Sequence, residues 1–252
     1  MIEVKNVSKT YGEKVILDDI SVSFPKGKIV ALIGGNGTGK STLLSIISRL
    51  VKKDEGEINL LNQDIFEMTN REFAKKLSIL KQTNHPNVRL TIRELVSFGR
   101  FPHSQGHLKD IDEQKIDESL DFMRLTEIQY SYLDELSGGQ RQRAFLAMLL
   151  VQDTDYILLD EPLNNLDLRH SVDIMQTLKT LANEYGKSII IVVHDINFAV
   201  SYADYIVALK NHKILYHGPT EEIIQEKKLK DIFDLDMSII SHNNCKFCIY
   251  FK

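Results

Sequence analysis

Cysteine is almost missing from this chain of 252 residues, which has only Cys245 and Cys248, both close to its end. No disulfide framework supports such a fold, so a hydrophobic core must. Glycine (13) and proline (5) are scattered as punctuation rather than gathered into a linker. That excludes a low-complexity chain and disfavours a tandem of two linked domains. Charge of one sign is not in excess either: 31 basic against 35 acidic residues leave a net charge of −4. No broad cationic field exists to hold nucleic acid or anionic lipid non-specifically, and no nucleic-acid partner is expected. Apolar runs such as Ile189 to Val193 are far too short to cross a bilayer, and Met1 to Lys5 lacks the basic start and apolar centre of a signal peptide. A cytoplasmic protein is the expectation. What remains, 43% hydrophobic and 26% charged residues, is an ordinary globular composition, long enough for one large domain or a core with an inserted subdomain.

The hydrophobic pattern gives α/β order. Ile20, Val22 and Phe24 alternate with polar residues, a turn follows at Pro25 to Gly27, and Lys28 to Ile33 reads as a short buried strand. A helix is expected through Leu43, Leu44, Ile46, Ile47 and Leu50, then a strand at Glu57 to Leu61. From Thr91 to Gln152 the period turns helical, through Ile92, Leu95, Val96 and Phe98, then Ile116, Leu120 and Met123, then Ala144 to Leu150. Strands resume at Tyr156 to Asp160 and Ser188 to Val193, separated by a helix through Ile174, Leu178 and Leu181. That alternation belongs to a parallel sheet. A hairpin near Asn211 and His212 and a helical stretch from Thr220 to about Phe233 close the pattern. The expected division is a single domain over 1–252, with a core over 1–85 and 153–235, a helical segment over 86–152 and an unassigned tail at 236–252.

Gly34, Gly35, Asn36, Gly37, Thr38, Gly39, Lys40, Ser41 and Thr42 follow the buried strand and open the first helix. They satisfy G-x-x-x-x-G-K-S in the context its mechanism requires. Glycines let successive backbone N–H groups close around phosphates, the helix N-terminus adds a favourable dipole, Lys40 supplies a compact positive charge and the Ser41 hydroxyl can ligate Mg²⁺. A simple strand-to-helix turn would need none of these together. A nucleotide's phosphates with Mg²⁺ are therefore the expected ligands, and ATP is the nucleotide that the resemblance described below implies.

Tyr156 to Asp160 is an apolar strand that ends in two carboxylates, Asp160 and Glu161. A parallel sheet delivers side chains to a ligand at this edge. Asp160 is expected in the Mg²⁺ shell, and Glu161 is expected to accept a proton from, or orient, the water attacking the γ-phosphate. Without the phosphate loop the pair would read as a solvated acidic turn.

Leu136, Ser137, Gly138, Gly139, Gln140 and Arg141 head another helix. Alone they would be a cap and a turn. Beside the other two motifs they resemble the signature of the ATP-binding-cassette ATPases, and the resemblance runs from Ile2 to about Ile224. It implies a P-loop NTPase (RecA-like) core with a mainly parallel sheet, N-terminal antiparallel strands and an inserted helical subdomain. It also implies that Leu136 to Gln140 contact ATP held by an opposing subunit, in a homodimer formed in the ATP-bound state. Tyr11 corresponds to the aromatic residue that stacks on adenine. Gln82 resembles the glutamine that touches the metal and the attacking water, and His194 the histidine that reaches the γ-phosphate. Asp167 matches the loop that crosses to the other subunit. Many relatives have Ser-Ala-Leu-Asp there, whereas this chain has Asn164-Asn165-Leu166-Asp167, which leaves open the hydrogen bond expected of the serine.

Gly99 to His103 and His194 to Asn197 are similar to the ATPases of bacterial iron-siderophore, haem and cobalamin importers. That resemblance implies polytopic membrane permease subunits as partners, a substrate-binding lipoprotein or periplasmic protein to choose the cargo, and a peripheral position on the cytoplasmic face of the membrane. Iron(III)-siderophore import is the expected process. A soluble cassette ATPase of translation or DNA repair is the alternative, set back by the single phosphate loop and the lack of sustained heptads. A P-loop kinase or GTPase would leave Leu136 to Arg141 unexplained. His242, Cys245 and Cys248 offer three ligands where a closed structural zinc site needs four, so no metal is expected in the tail.

Overall fold

Two strands open the chain as a hairpin, β1 (Ile2–Tyr11) and β2 (Lys14–Phe24), with buried residues facing one another at Ile2↔Phe24, Val4↔Val22 and Val7↔Ile20. Alternation buries Leu17, Ile20, Val22 and Phe24 and leaves Asp19, Ser21 and Ser23 outside, as a sheet with one wet face requires. Next come β3 (Ile29–Ile33), every residue of it buried, and helix α1 (Lys40–Ile47). The expected helical stripe ends early: Arg49 takes a positive φ of 63° and Leu50 is exposed. Strand β4 (Glu55–Leu60) pairs with the free side of β1, with Ile2 opposite Leu60 and Val4 opposite Ile58, and short β5 (Gln63–Asp64) completes an antiparallel sheet ordered β2-β1-β4-β5.

The computed structural model describes residues 1–82, 88–243 and 245–251. These fall into two units, one of residues 1–68 with 175–252 and one of residues 69–174. The second unit begins with α2 (Asn70–Ala74) and β6 (Leu77–Leu80), followed by α3 (Ile92–Phe98), α4 (Phe101–Ser104), α5 (Asp110–Phe122) and α6 (Gly138–Val151). Strand β7 (Tyr156–Asp160) pairs in parallel with β6, and α7 (Leu168–Asn183) follows, with the unit ending inside it at Ile174. Helix α3 starts at a reciprocal cap in which the Thr91 hydroxyl accepts from the Glu94 N–H while the Glu94 carboxylate accepts from the Thr91 N–H, satisfying two otherwise orphaned donors. Ile92, Leu95 and Val96 pack inward with Ile116, Leu120 and Ala147, whereas Phe98, expected in that stripe, is exposed. A buried ion pair joins α5 to the turn after α3, Arg100 Nε to Asp112 Oδ1 at 2.8 Å, and Arg100 also donates to the Val151 carbonyl at 2.9 Å. The buried charge is thus both paired and hydrogen-bonded.

In the first unit the chain resumes with β8 (Ser188–Val192), α8 (Ile196–Tyr202), β9 (Tyr205–Lys210) and β10 (Lys213–Pro219). Strand β3 lies between β8 and β9 and is parallel to both, while β10 turns back antiparallel on β9 through Asn211 and His212, both at positive φ. Asparagine tolerates that conformation and marks the turn. Helices α9 (Thr220–Ile223) and α10 (Glu226–Phe233) follow. The unassigned tail then forms a hairpin, β11 (Ser238–His242) with β12 (Cys245–Ile249), and β12 packs on α8. Among the described residues no helix is long and apolar enough to cross a membrane.

Candidate nucleotide-binding and hydrolysis site

The phosphate loop leaves the C-terminal end of β3. Its glycines are obligatory in two places. A Cβ on Gly34, at φ 137°, would stand 2.1 Å from the Leu209 carbonyl oxygen, and one on Gly39, at φ 103°, would stand 2.5 Å from Leu17 Cδ2. Only glycine combines that backbone with that closeness. Gly39 is the N-cap of α1, so the helix amide groups open toward the loop. Lys40 is buried, and its ammonium donates to the Gly34 and Gly35 carbonyls at 2.8 Å each. The Thr38 hydroxyl donates to the Gly35 carbonyl at 3.0 Å. Ser41 and Thr42 lie in the first turn of α1, and Asn36 and Gly37 are in the loop itself.

His194 is placed at the same edge of the same unit. Leu32 on β3 is in register with Val192 on β8, so Gly34 and His194, each two residues further on, leave neighbouring strand ends. His194 is exposed, and the next residue, Asp195, caps α8 by accepting from the Asn197 N–H at 2.8 Å. Tyr11, expected just after the first strand, is the last residue of β1; the residue is 53% exposed, with the Lys9 ammonium 5.3 Å from the ring centroid. An open aromatic face of this kind is available for stacking.

In the second unit, β6 and β7 end side by side. Leu80 pairs with Leu159, which carries Gln82 and Glu161 to matching positions past the strands. Gln82 Nε2 donates to Glu161 Oε2 at 2.7 Å. Asp160, the final residue of β7, is only 5% exposed, whereas Glu161 is half-buried and takes the left-handed conformation at φ 52°. A non-glycine residue held there stores strain of about 1–3 kcal/mol and persists only where its surroundings fix it. The Asn164 amide donates to the same Glu161 Oε2, and the Asn164 N–H bonds the Glu161 carbonyl at 3.2 Å.

The signature heads α6 in the same unit. Ser137 Oγ accepts from the Gln140 N–H at 3.3 Å, and Gln140 Oε1 accepts from the Ser137 N–H at 3.0 Å. The Ser137 O–H proton remains a donor, and Gly138 next to it is exposed. Gly139 is buried against the His170 ring, where a Cβ would come within 2.3 Å of Cδ2. His170 is in turn held by Asp167, whose Oδ1 lies 2.8 Å from both its backbone nitrogen and its Nδ1. These contacts, led by the backbone N–H, hold the Asp167 carboxyl below the usual carboxylate range. Leu136 precedes the cap in extended conformation.

Three roles escaped the sequence reading. Asn164 reaches Glu161, His170 joins Asp167 to Gly139, and Asn197 anchors the C-terminal hairpin. The departure from Ser-Ala-Leu-Asp was the one available signal, and it pointed at Asn164.

Residues 17–164 match the sequence profile of the ABC transporter family. The chain belongs to that family. As an ABC transporter ATPase it can be set beside two curated relatives. It is 58% identical over 252 residues to the petrobactin import ATP-binding protein YclP of Bacillus subtilis (strain 168), covering 100% of both chains. It is 50% identical over 240 residues to the petrobactin import ATP-binding protein FatE of Bacillus anthracis, covering 95% of this chain and 96% of that one. Among solved structures it resembles an ATP-binding cassette in a dimeric post-hydrolysis state bound to ADP and Pi. That match has a TM-score of 0.76 and 33% identity, and covers 87% of this chain and 99% of the other. The expected P-loop core, with parallel strands, antiparallel N-terminal strands and inserted helices, is the fold of this ABC ATPase.

Proposed function

We propose that this ABC ATPase powers the import of an iron(III)-siderophore complex, petrobactin being the first candidate cargo, from the cytoplasmic face of the membrane. The reading is carried by one conjunction. A phosphate loop with a buried Lys40 and a carboxylate pair at the end of β7 occur in a chain 58% identical, end to end, to a petrobactin import protein.

In this reading two copies close on two ATP molecules. Gly34 to Thr42 cradle the phosphates of each, Tyr11 stacks on the adenine, and Leu136 to Gln140 of the opposing copy cap the phosphate tail. Asp167 lies where the copies meet. The fit to Mg²⁺ rests on hard oxygen donors, the Ser41 hydroxyl, the Gln82 side-chain carbonyl and the buried Asp160 carboxylate. When bound, Mg²⁺ neutralises charge building on the transferred phosphoryl group. Glu161 accepts the proton of the attacking water, and His194 donates toward the γ-phosphate. Because each ATP touches both copies, its binding energy favours the closed dimer, and hydrolysis reopens it.

The closing motion must reach polytopic permease subunits. A groove of about 620 Å³ in the second unit, lined by Arg93, Ser97, Phe98, Phe101, Leu108 and Tyr130, suits that contact. Three of its aromatics are exposed, Phe98 at 57%, Phe101 at 61% and Tyr130 at 71%. Aromatic anchors with a charged rim are typical of protein docking sites. A binding protein outside the membrane would then choose the cargo.

The test is to purify the Glu161→Gln variant with MgATP from gently solubilised native membranes and identify what travels with it. A polytopic membrane protein in about equal amount, together with loss of ferric-petrobactin uptake when the gene is deleted, supports the reading. Recovery of ribosomes or DNA in place of a membrane protein would overturn it.

A further inference from the structure

We infer that Gln152, the residue that closes the signature helix α6, is a positioning residue that ties the groove-lining helix α4 to β6, the strand that runs toward Gln82, so that pressure on the groove is passed to the hydrolysis site. The inference rests on the proposed docking of the permease in that groove.

Helix α4 is a single turn with no buried residue, and Gln105 ends it in the left-handed conformation. A helix that short does not hold itself, so its place depends on the side chains that bond to it. Arg71 of α2 supplies two such bonds, Nε donating to the Pro102 carbonyl at 3.0 Å and Nη2 to the His103 carbonyl at 3.3 Å. His103 makes another, its Nε2 lying 3.0 Å from the Gln152 carbonyl oxygen, a bond in which the imidazole N–H is the donor. The Gln152 side chain reaches the other way, Nε2 donating to the Ala74 carbonyl at 2.6 Å and to the Leu77 carbonyl at 3.4 Å. Ala74 is the last residue of α2 and Leu77 the first of β6. The bonds close a ring, from α4 to Arg71, along α2 to Ala74, through Gln152 and back to His103.

The same corner holds the end of the signature helix. Val151 and Gln152 carry carbonyls that no further helical turn satisfies; Arg100 takes the first at 2.9 Å and His103 the second. Arg100 is itself fixed by the buried Asp112, and a Cβ on Gly99 would lie 2.2 Å from the Met148 carbonyl oxygen, so the chain before Arg100 lies directly against α6. Gly99 to His103, the stretch that drew attention in the sequence, thus join α3 and α4 to the C-terminus of α6. Residues proposed to act on ATP stand at the far ends of these elements. Ser137 caps the N-terminus of α6, and β6 ends at Leu80, two residues before Gln82. Phe101, 61% exposed, lines the groove from α4. A load on Phe101 therefore has two exits, α6 and β6, and Gln152 belongs to both. Bonded networks between rigid elements are the physical means by which such displacements travel.

The experiment uses full-length Gln152→Ala, Arg71→Met, the double variant and Phe101→Asp. Each is measured for ATP turnover of the purified protein and for ferric-petrobactin uptake by a deletion strain carrying the variant gene. Each is also combined with Glu161→Gln and measured, with MgATP, for recovery of the polytopic membrane protein. For Gln152→Ala the expected result is unchanged turnover, melting temperature and recovery, with uptake reduced about 5-fold or more, the scale of coupling between two sites. Arg71→Met opens the same ring and should match it, and the double variant should be no worse than either, because residues acting as one unit are non-additive. Normal uptake by Gln152→Ala would overturn the inference. So would turnover that falls in step with uptake, the mark of a purely structural loss, or a double variant whose loss is the product of the single ones. Phe101→Asp is expected to lose recovery and uptake together. If it keeps both, the groove is not the dock, and that reading and this inference fall together; if it loses both while Gln152→Ala keeps uptake, the inference alone falls.

Discussion

Gln82 and Glu161 meet at the ends of two paired parallel strands, Nε2 donating to Oε2 at 2.7 Å. Strand register makes the contact: Leu80 opposite Leu159 puts both side chains two residues beyond the last pair. The proposed role of this carboxylate, at the edge of a sheet beside a buried Asp160, is to accept a proton. Glu161→Gln is expected to keep ATP binding and to slow hydrolysis by about 10²–10⁴-fold, the range of a general base. Single-turnover hydrolysis beside equilibrium binding of ATP checks this, and near-normal turnover would remove Glu161 from the role.

Lys40 is buried with two loop carbonyls at 2.8 Å. Its ammonium is thus held against the loop that is proposed to cradle phosphate. Lys40→Ala is expected to weaken ATP binding by at least about 10-fold, as loss of a charge-assisted bond implies. Isothermal titration would show it. An unchanged dissociation constant would show that the loop does not hold phosphate.

Much of this site was legible because its chemistry is local in the chain. Gly34 and Gly39 are required by backbone geometry, and Lys40 follows them directly, so the loop is spelled out within a few residues. The same is true of β3, β7 and β8, whose apolar runs are buried from end to end. What stayed hidden is non-local. The meeting of Gln82 with Glu161 depends on the β6–β7 register, Phe98 leaves its helical stripe for the surface, and β12 is anchored by the side chain of a residue 51 positions away. No pattern within a window of sequence carries that information.

Gly139 is a case where the spacing signalled a motif but not its packing. An added Cβ would lie 2.3 Å from His170 Cδ2 and 2.7 Å from Nε2. The ring cannot yield without loosening its 2.8 Å bond to Asp167. Gly139→Ala is expected to destabilise the fold by about 1–3 kcal/mol, the cost of overpacking. Sedimentation of the Glu161→Gln background with MgATP should show a smaller dimer fraction, since Asp167 belongs to the loop assigned to subunit contact. Unaltered melting and an unaltered dimer fraction would show that the histidine moves freely.

The two cysteines should report the docking of the tail. Asn197 clasps β12 from both sides: its Oδ1 accepts from the Cys248 N–H at 2.8 Å and its Nδ2 donates to the Cys248 carbonyl at 3.2 Å. Cys248 is buried while Cys245 is exposed. Burial pushes the Cys248 thiol up, and the Asp195 carboxylate adds to the shift. The thiolate is the reactive form, so raising the thiol's proton affinity slows alkylation, and shielding slows it further. At pH 8 iodoacetamide is expected to modify Cys245 at least about 10-fold faster than Cys248 in the folded protein. The gap should close in denaturant and narrow in Asn197→Ala. Because the next residue before Asn197's helix but one is His194, release of the hairpin should also lower ATP turnover in that variant. Equal labelling of both cysteines in the native protein would mean that β12 does not rest on α8, and the link from tail to His194 would fall with it.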